Sequence, residues 1–398
     1  MAPNSDADER NDVALSDSLA VTLTSLSSSS IKKRSLLTLP FDLVVEILSL
    51  LPVKSLMQLR CVCKSWKSLI SDPKFAKKQL RASMPFTTHH HLMLTFLDRL
   101  DRPSKFSFMA YSLSSFFAEG TTTTMELEYP LIINQTSFVQ CAGSCHGILC
   151  FHHDQGVSFL WNPSIRKFTK LPPLEIDGDS PFDLSFGYDN FSDSYKVVAV
   201  SCCKFSVING IRVYKTQVKI HTLGTHSWTE MQDLPFGHIW ETGKFISGTI
   251  NWLASKNWRS PKVILSLDFE KESCRELLLP DLGGVLDLEM FKDCLWILSH
   301  GDTFIDIWLM KEFGNKESWT KVVRVPNNGG IESWSYVSAL YVSALYVSED
   351  DQVLLDINQK LVIYNSSNGT FKDCNIQNIN CPWMKRDVYI ESLISPCF

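Results

Sequence analysis

Nowhere in the 398 residues is there an uninterrupted apolar run of eighteen, the length at which a membrane-spanning helix becomes an expectation. The N-terminus lacks a basic start followed by an apolar core, so no secretory signal is expected either. Positive charge is scarce: 38 Lys and Arg against 43 Asp and Glu leave a net charge of −5, which argues against nucleic acid as the main partner. No G-x-S-x-G elbow, H-E-x-x-H pair or phosphate-cradling glycine loop is present, and nothing marks the chain as a catalyst or asks for a cofactor. The twelve cysteines are not paired at metal-ligand spacing. Cys61, Cys63, Cys274 and Cys294 stand at helix or apolar-strand positions and are expected as buried free thiols of the cytosol or nucleus. Cys141, Cys145 and Cys150 with His146, His152 and His153 lack a second knuckle, and His89-His90-His91 cannot all face one ion from a strand. No metal site is expected at either place.

Residues 1–34 are rich in Ser, Asp and Thr with little apolar periodicity, and are expected as a disordered tail. Lys32-Lys33-Arg34 is short enough to be a solvated boundary, with nuclear import as the alternative. Organisation begins at residue 39. Pro40 suits a first helical turn, and Asp42 and Glu46 favour the N-terminal half of a helix. Val44, Ile47, Leu48 and Leu51 recur at i, i+3, i+4 and i+7, so one apolar stripe is expected up to Pro52. A second amphipathic run carries Leu59, Val62, Cys63, Trp66, Leu69 and Ile70 on one face and stops at Asp72-Pro73. So small a unit cannot hide this much aliphatic surface alone. It must be covered either by its own β domain or by another protein.

Leu39-Pro40, Ile47-Leu48, Leu51-Pro52 and Val62-Cys63-Lys64-Ser65-Trp66, at these spacings, resemble the F-box. The resemblance implies a three-helix module that docks on a Skp-family adaptor and, through it, joins a cullin scaffold. Carried onto this chain, it implies adaptor contacts from Leu39, Pro40, Leu43, Ile47, Leu48, Leu51, Pro52, Leu56, Val62, Cys63 and Trp66.

From residue 92 the pattern changes to short apolar or alternating runs separated by Gly, Asn, Asp and Ser turns, a β composition. An apolar strand, a polar turn and an apolar opening of the next strand recur. The openings fall at Phe168, Trp228, Cys274, Trp319 and Phe371, spaced by 60, 46, 45 and 52 residues. A weaker copy runs from Phe106 through Leu113 to Phe116. Such a period predicts propeller blades, about six of them, with an irregular β-sandwich as the alternative. The segments His146–Leu149, Gly248–Leu253 and Asp293–Leu298 are expected as inner strands. The pentapeptide Tyr336–Leu340 is repeated at Tyr341–Leu345; a period of five cannot keep one face of a straight strand. Only the second copy is therefore expected in the inner strands.

Gly143-Ser144-Cys145-His146-Gly147-Ile148-Leu149-Cys150, Leu160-Trp161-Asn162-Pro163, Tyr195-Lys196-Val197-Val198 and Lys311-Glu312-Phe313-Gly314 resemble the F-box-associated interaction domain of plant F-box/kelch-type proteins. True kelch double glycines are missing from the right context. The resemblance implies a substrate receptor of a Skp-cullin-F-box ubiquitin ligase whose ring holds a target protein. An F-box protein acting outside the ligase, or a propeller lectin or enzyme anchored by its helices, are the alternatives. Expected domains are an F-box at 35–82, a linker at 83–91 and a propeller at 92–395. The fold class is mixed: a small α-helical module followed by an all-β ring. Trp161, Trp228 and Trp319 stand at repeat positions and are assigned to blade packing. Trp240, Trp258, Trp334 and Trp383 lie in polar or loop-like stretches and are the candidates for target binding.

Overall fold

A computed structural model describes residues 39–98, 105–119, 121–122, 125–128, 139–153, 156–175, 182–208, 211–231, 234, 236, 238–257, 260–301, 303–326, 342–350, 352–376 and 383–397. The expected tail at 1–34 lies outside them.

Four helices open the described chain: α1 (Phe41–Ser49), α2 (Val53–Leu59), α3 (Lys64–Ile70) and α4 (Pro73–Ser83). Pro40 and Pro52 stand just before α1 and α2, where a missing N–H costs nothing. Asp72 caps α4 by accepting from the Lys74 N–H at 2.7 Å, and Pro73 fills the first position. The run expected to be continuous through residues 59–70 is instead broken. Tight turns bring Cys61 N–H to the Gln58 carbonyl and Val62 N–H to that of Leu59, and Cys63 is fully extended at φ −155°. The break turns Trp66 and Ile70 onto the core already formed by Leu48, Val53 and Leu56.

Six four-stranded antiparallel sheets follow, arranged as the blades of a ring. The innermost strands are Trp383–Ile390, Val139–Cys145, Phe182–Asp189, His238–Ile246, Val285–Phe291 and Val342–Val347. Each touches the next, and the last returns to the first. The sandwich alternative is thereby excluded. The ring is closed by the two ends of the β stretch: Trp383–Ile390 pairs with His90–Asp98, with His90 opposite Ile390. The first blade therefore takes only three strands from its own stretch of chain, and its outer one shrinks to Met125–Glu126. A helix at Leu113–Glu119 fills the rest. That is why its copy of the repeat is weak.

The other openings of the repeat coincide with outer strands. Phe168, Cys274, Trp319 and Phe371 lie in Lys167–Lys170, Ser273–Leu277, Trp319–Pro326 and Thr370–Asp373, and Trp228 directly precedes Thr229–Glu230. The expected inner strands are displaced by one position. Ile148–His153, Thr249–Ser255 and Cys294–His300 are second strands. The reason is burial: second strands are sandwiched between neighbouring blades and read as the most apolar, Thr249–Ser255 being buried throughout. Innermost strands face the axis and can carry polar groups. Val342–Leu345 of the second pentapeptide copy lie in the innermost strand Val342–Val347, bulged between Ala344 and Tyr346; Tyr341 and the first copy lie outside the described residues.

The stretch expected as a linker is structured too. Thr87–His89 forms a short turn and the first strand starts at His90. Buried His89 meets the Glu391 carboxylate at 2.7 Å, and His91 stacks on Tyr389 at 5.5 Å. The histidine triple thus belongs to ring closure. Cys141, Cys145 and Cys150 are buried, and burial pushes their thiols up. Cys274 and Cys294 are half-buried, whereas Cys61, expected inside, is exposed because the α2–α3 turn carries it outward.

The helical module sits on the end of the ring where first and second strands turn. Its core residues Trp66, Ile70, Phe75 and Leu80 belong to the same apolar cluster as Ile148, Tyr188, Tyr195 and Leu393. Lys77 of α4 ion-pairs with Asp193 and donates to the Tyr188 hydroxyl at 3.3 Å. Beneath it, His146 lies edge-on to Tyr188 and meets the Tyr195 hydroxyl at 3.1 Å. Burial, then the charges of Lys77 and Arg81, lower the His146 pKa to about 4. The imidazole is therefore neutral in the fold, while in the unfolded chain it titrates at about 6.5. Its contribution is intact above that value and is lost as pH falls toward 4, up to about 3 kcal/mol. Because His146 has a left-handed φ of 53°, Asn is the substitution of choice. In urea unfolding at pH 7 and pH 4, wild type should lose about 2–3 kcal/mol more than His146→Asn. Equal losses would contradict this assignment.

Candidate functional site

Two surfaces at opposite ends of the molecule present chemistry that the fold does not use. The first is the outer side of the helical module. Along α1 the apolar residues divide into two stripes. Val44, Val45, Leu48 and Leu51 turn inward to the shared core. Leu43, Ile47 and Leu50, at i, i+4 and i+7, point out, joined by Leu39 and Phe41 just before them. Leu50 is 61% and Phe41 56% exposed. Glu46, between the stripes, ion-pairs with Lys78 and ties α1 to α4.

The residues expected to contact an adaptor fall into three groups. Leu39, Pro40, Leu43, Ile47 and Pro52 are exposed, while Leu51, Val62 and Cys63 are half-buried. Leu48, Leu56 and Trp66 are buried inside the module, at 1%, 0% and 9% exposure. They shape the outer face without forming part of it. Phe41 and Leu50 were missed, although the second stripe at helical spacing was there to be read.

The second surface is the end of the ring away from the helices. Inner strands begin here, because the module occupies the end where they turn at Cys145–Ile148, Tyr188–Tyr195 and Ile390. Trp240 and Trp383 lie near the starts of the inner strands His238–Ile246 and Trp383–Ile390, opposite Leu253 and Phe96 in their registers. Trp258 and Trp334 lie outside the described residues.

Between these strands, charged groups converge that sequence reasoning did not single out. Lys244 meets Glu289 at 2.7 Å, and Glu289 also accepts from the Ser343 hydroxyl at 3.0 Å, linking three blades. Asp287 is held by His300 at 2.8 Å. A bulge between Trp240 and Lys244 gives Glu241 a left-handed φ of 61° and re-aims the strand. The bulge is pinned by Gly243, whose N–H donates to Ser185 Oγ at 2.9 Å. Burial opposes the charge of Lys244, but Glu289, Glu241 and Asp387 outweigh it and raise its pKa. Burial pushes Asp387 up to about 7 against the pull of Lys385 and Lys244. Asp183 and Glu241 are also raised by burial. The only sequence signal for this set was charge placed on strands that otherwise read as core.

Comparison with known proteins matches this two-part architecture. The F-box domain matches residues 36–78 and the F-box associated beta propeller domain matches residues 103–396. This chain belongs to the F-box-associated β-propeller family. The F-box/kelch-repeat protein At3g23880 of Arabidopsis thaliana is 30% identical over 377 residues, covering 90% of this chain and 96% of that protein. F-box protein CPR1 of the same plant is 25% identical over 393 residues, covering 90% and 89%. Among solved structures, an oligogalacturonate lyase in complex with manganese superposes with a TM-score of 0.40 at 12% identity, covering 70% of this chain and 76% of that one. Likeness at that level bears on no question of activity.

The bulge of the fourth blade is testable. A Cβ at Gly243 would stand 2.4 Å from Ile250 Cγ2 and 2.5 Å from Trp252 Nε1. Gly243→Ala should therefore cost about 1–3 kcal/mol in urea unfolding through overpacking. An unchanged midpoint would show that the bulge is not pinned there.

Proposed function

We propose that this F-box protein is the substrate-receptor subunit of a Skp-cullin-F-box ubiquitin ligase. The helical module docks on a Skp-family adaptor, which connects it to a cullin scaffold, and the ring holds a target protein for ubiquitylation by other subunits. The observation that carries the reading is the outward stripe of Leu43, Ile47 and Leu50 with Leu39 and Phe41. The module already has a filled core, shared with the ring, and among the described residues nothing covers this second stripe. A contiguous apolar face of large side chains left in water marks an interaction site. In this reading Leu48, Leu56 and Trp66 act by holding α1 in place, and the strands that carry Trp240 and Trp383 belong to the target side.

Two kinds of variant separate contact from support. Leu43→Asp with Ile47→Asp should abolish capture of a Skp-family adaptor in a pull-down while leaving the melting temperature unchanged. Trp66→Ala should weaken capture only together with stability, by about 3–5 kcal/mol, because it empties the shared core. Full capture by the double Asp variant would overturn the docking assignment.

A further inference from the structure

We infer that the two-stranded arm of the third blade, residues 202–215, docks an extended acidic segment of the target protein, which adds to it as a third strand. The inference rests on the substrate-receptor reading and names the chemistry of the segment taken at the ring end away from the helices.

Strand length reveals the arm. Ser194–Ile208 has fifteen residues and Ile211–Thr222 twelve, whereas the second strands of the other blades have six to nine. Ser194 stands opposite Asp189 at the module end, and Ser201 stands opposite Phe182, where the inner strand begins. Past a register shift between Ser201 and Lys204 the two long strands go on pairing, 204–208 with 211–215. At about 3.3 Å per residue this carries them roughly 15 Å beyond the start of the inner strand, away from the helices. On the other flank the outer strand pairs at Lys219 and Ile220, and Leu234 bridges to Thr216. Beyond those points neither edge of the arm has a ladder partner among the described residues. A two-stranded ribbon is marginal in water and gains most from a third strand. Its edges present the backbone N–H and C=O groups that an extended segment can pair with.

Charge decides what kind of segment fits. Residues 194–229 include Lys196, Lys204, Arg212, Lys215 and Lys219 but not one Asp or Glu, in a chain of net charge −5. Lys204, Arg212 and Lys215 belong to the arm, and Lys204 and Lys215 are register partners. Like charges at directly opposite positions destabilise a strand pair. The described acids nearest in register are Asp183, opposite Val200, and Glu230, opposite Lys219, both below the arm. A segment with carboxylates at alternate positions supplies the missing counter-charge. A second copy of the arm would repeat the lysines, which on an edge repel such pairing. Nucleic acid supplies charge but no peptide backbone to extend the ladder.

The test uses the full chain with the blocked heptapeptide Thr-Glu-Val-Glu-Val-Glu-Thr, titrated by calorimetry. Its Gln counterpart, a form N-methylated at alternate residues and a uridine decanucleotide are the comparisons. The acidic peptide should bind saturably, and the Gln and N-methylated peptides at least about tenfold more weakly. Lys204→Gln with Lys215→Gln should weaken the acidic peptide by about tenfold and raise the melting temperature, a gain that damage to the fold cannot imitate. Lys167→Gln with Lys170→Gln, at exposed positions on an outer strand of the second blade, should change neither. Absence of saturable binding, equal binding of either altered peptide, or no effect of the Lys204 and Lys215 changes would overturn the inference. So would binding of the decanucleotide as tight as that of the peptide, or a dimer in sedimentation that the peptide dissociates. Binding seen only after Asp177→Asn with Asp179→Asn would also overturn it, by assigning the arm to acids of this same chain. Intact adaptor capture without peptide binding removes only this inference. Loss of capture in Leu43→Asp with Ile47→Asp, with peptide binding intact, bears only on the docking face.

Discussion

The contact on which the rest of the structure depends is the junction where α3 and α4 are buried against the second and third blades. Trp66, Ile70, Phe75 and Leu80 share one apolar cluster with Ile148, Tyr188 and Tyr195, and the C-terminal Leu393 and Ile394 complete it. Burial of that many large side chains contributes about 1.5–3 kcal/mol each relative to exposure. Polar contacts orient it: Lys77 bridges to Tyr188 and Asp193, and His146, neutral beneath two cationic side chains, meets Tyr195. The chain segment after α4 leads into the first strand at His90, which pairs with Trp383–Ile390. Helices, ring closure and junction are thus one connected construction.

That construction decides where function can reside. With the inward stripe of α1 committed to the shared core, the outward stripe of Leu43, Ile47 and Leu50 is left in water at one end of the molecule. With the module covering the end where inner strands turn, the starts of those strands lie at the other. The two faces cannot approach each other without dismantling the junction. A receptor that must present a target at a set distance from a ligase gains from such fixed separation. The polar groups on the inner strands fit the same picture, since those strands alone face an axis instead of another blade.

Much of this architecture was legible in the sequence. The helix ends at Pro52 and Asp72-Pro73 and the outer-strand openings from Phe168 to Phe371 are local signals, and the structure places them where they read. What did not read correctly depended on long-range partners. The first blade looked weak because its inner strand comes from residues 383–390, far away in the chain. The second strands read as inner ones because burial between two blades gives the same apolar run as a central position. Ile47 reads on one stripe with Val44, Leu48 and Leu51, whereas the structure divides them between an outward and an inward side, since periodicity finds a helix face but not what covers it. The convergence of Asp183, Glu241, Asp287 and Asp387 was invisible for the same reason: these residues are far apart in sequence and meet only around the closed axis.

The central claim is that the docking face and the ring are held as one body by the junction. It is tested most directly by a distance distribution across the molecule. Spin labels introduced as non-natural residues at exposed Lys54 on α2 and exposed Glu276 on an outer strand of the fourth blade report on it without using the native thiols. Double electron–electron resonance should give one narrow distance peak, unchanged between low and high salt, because apolar burial carries the junction. A broad or multi-peaked distribution in the intact chain would contradict the account.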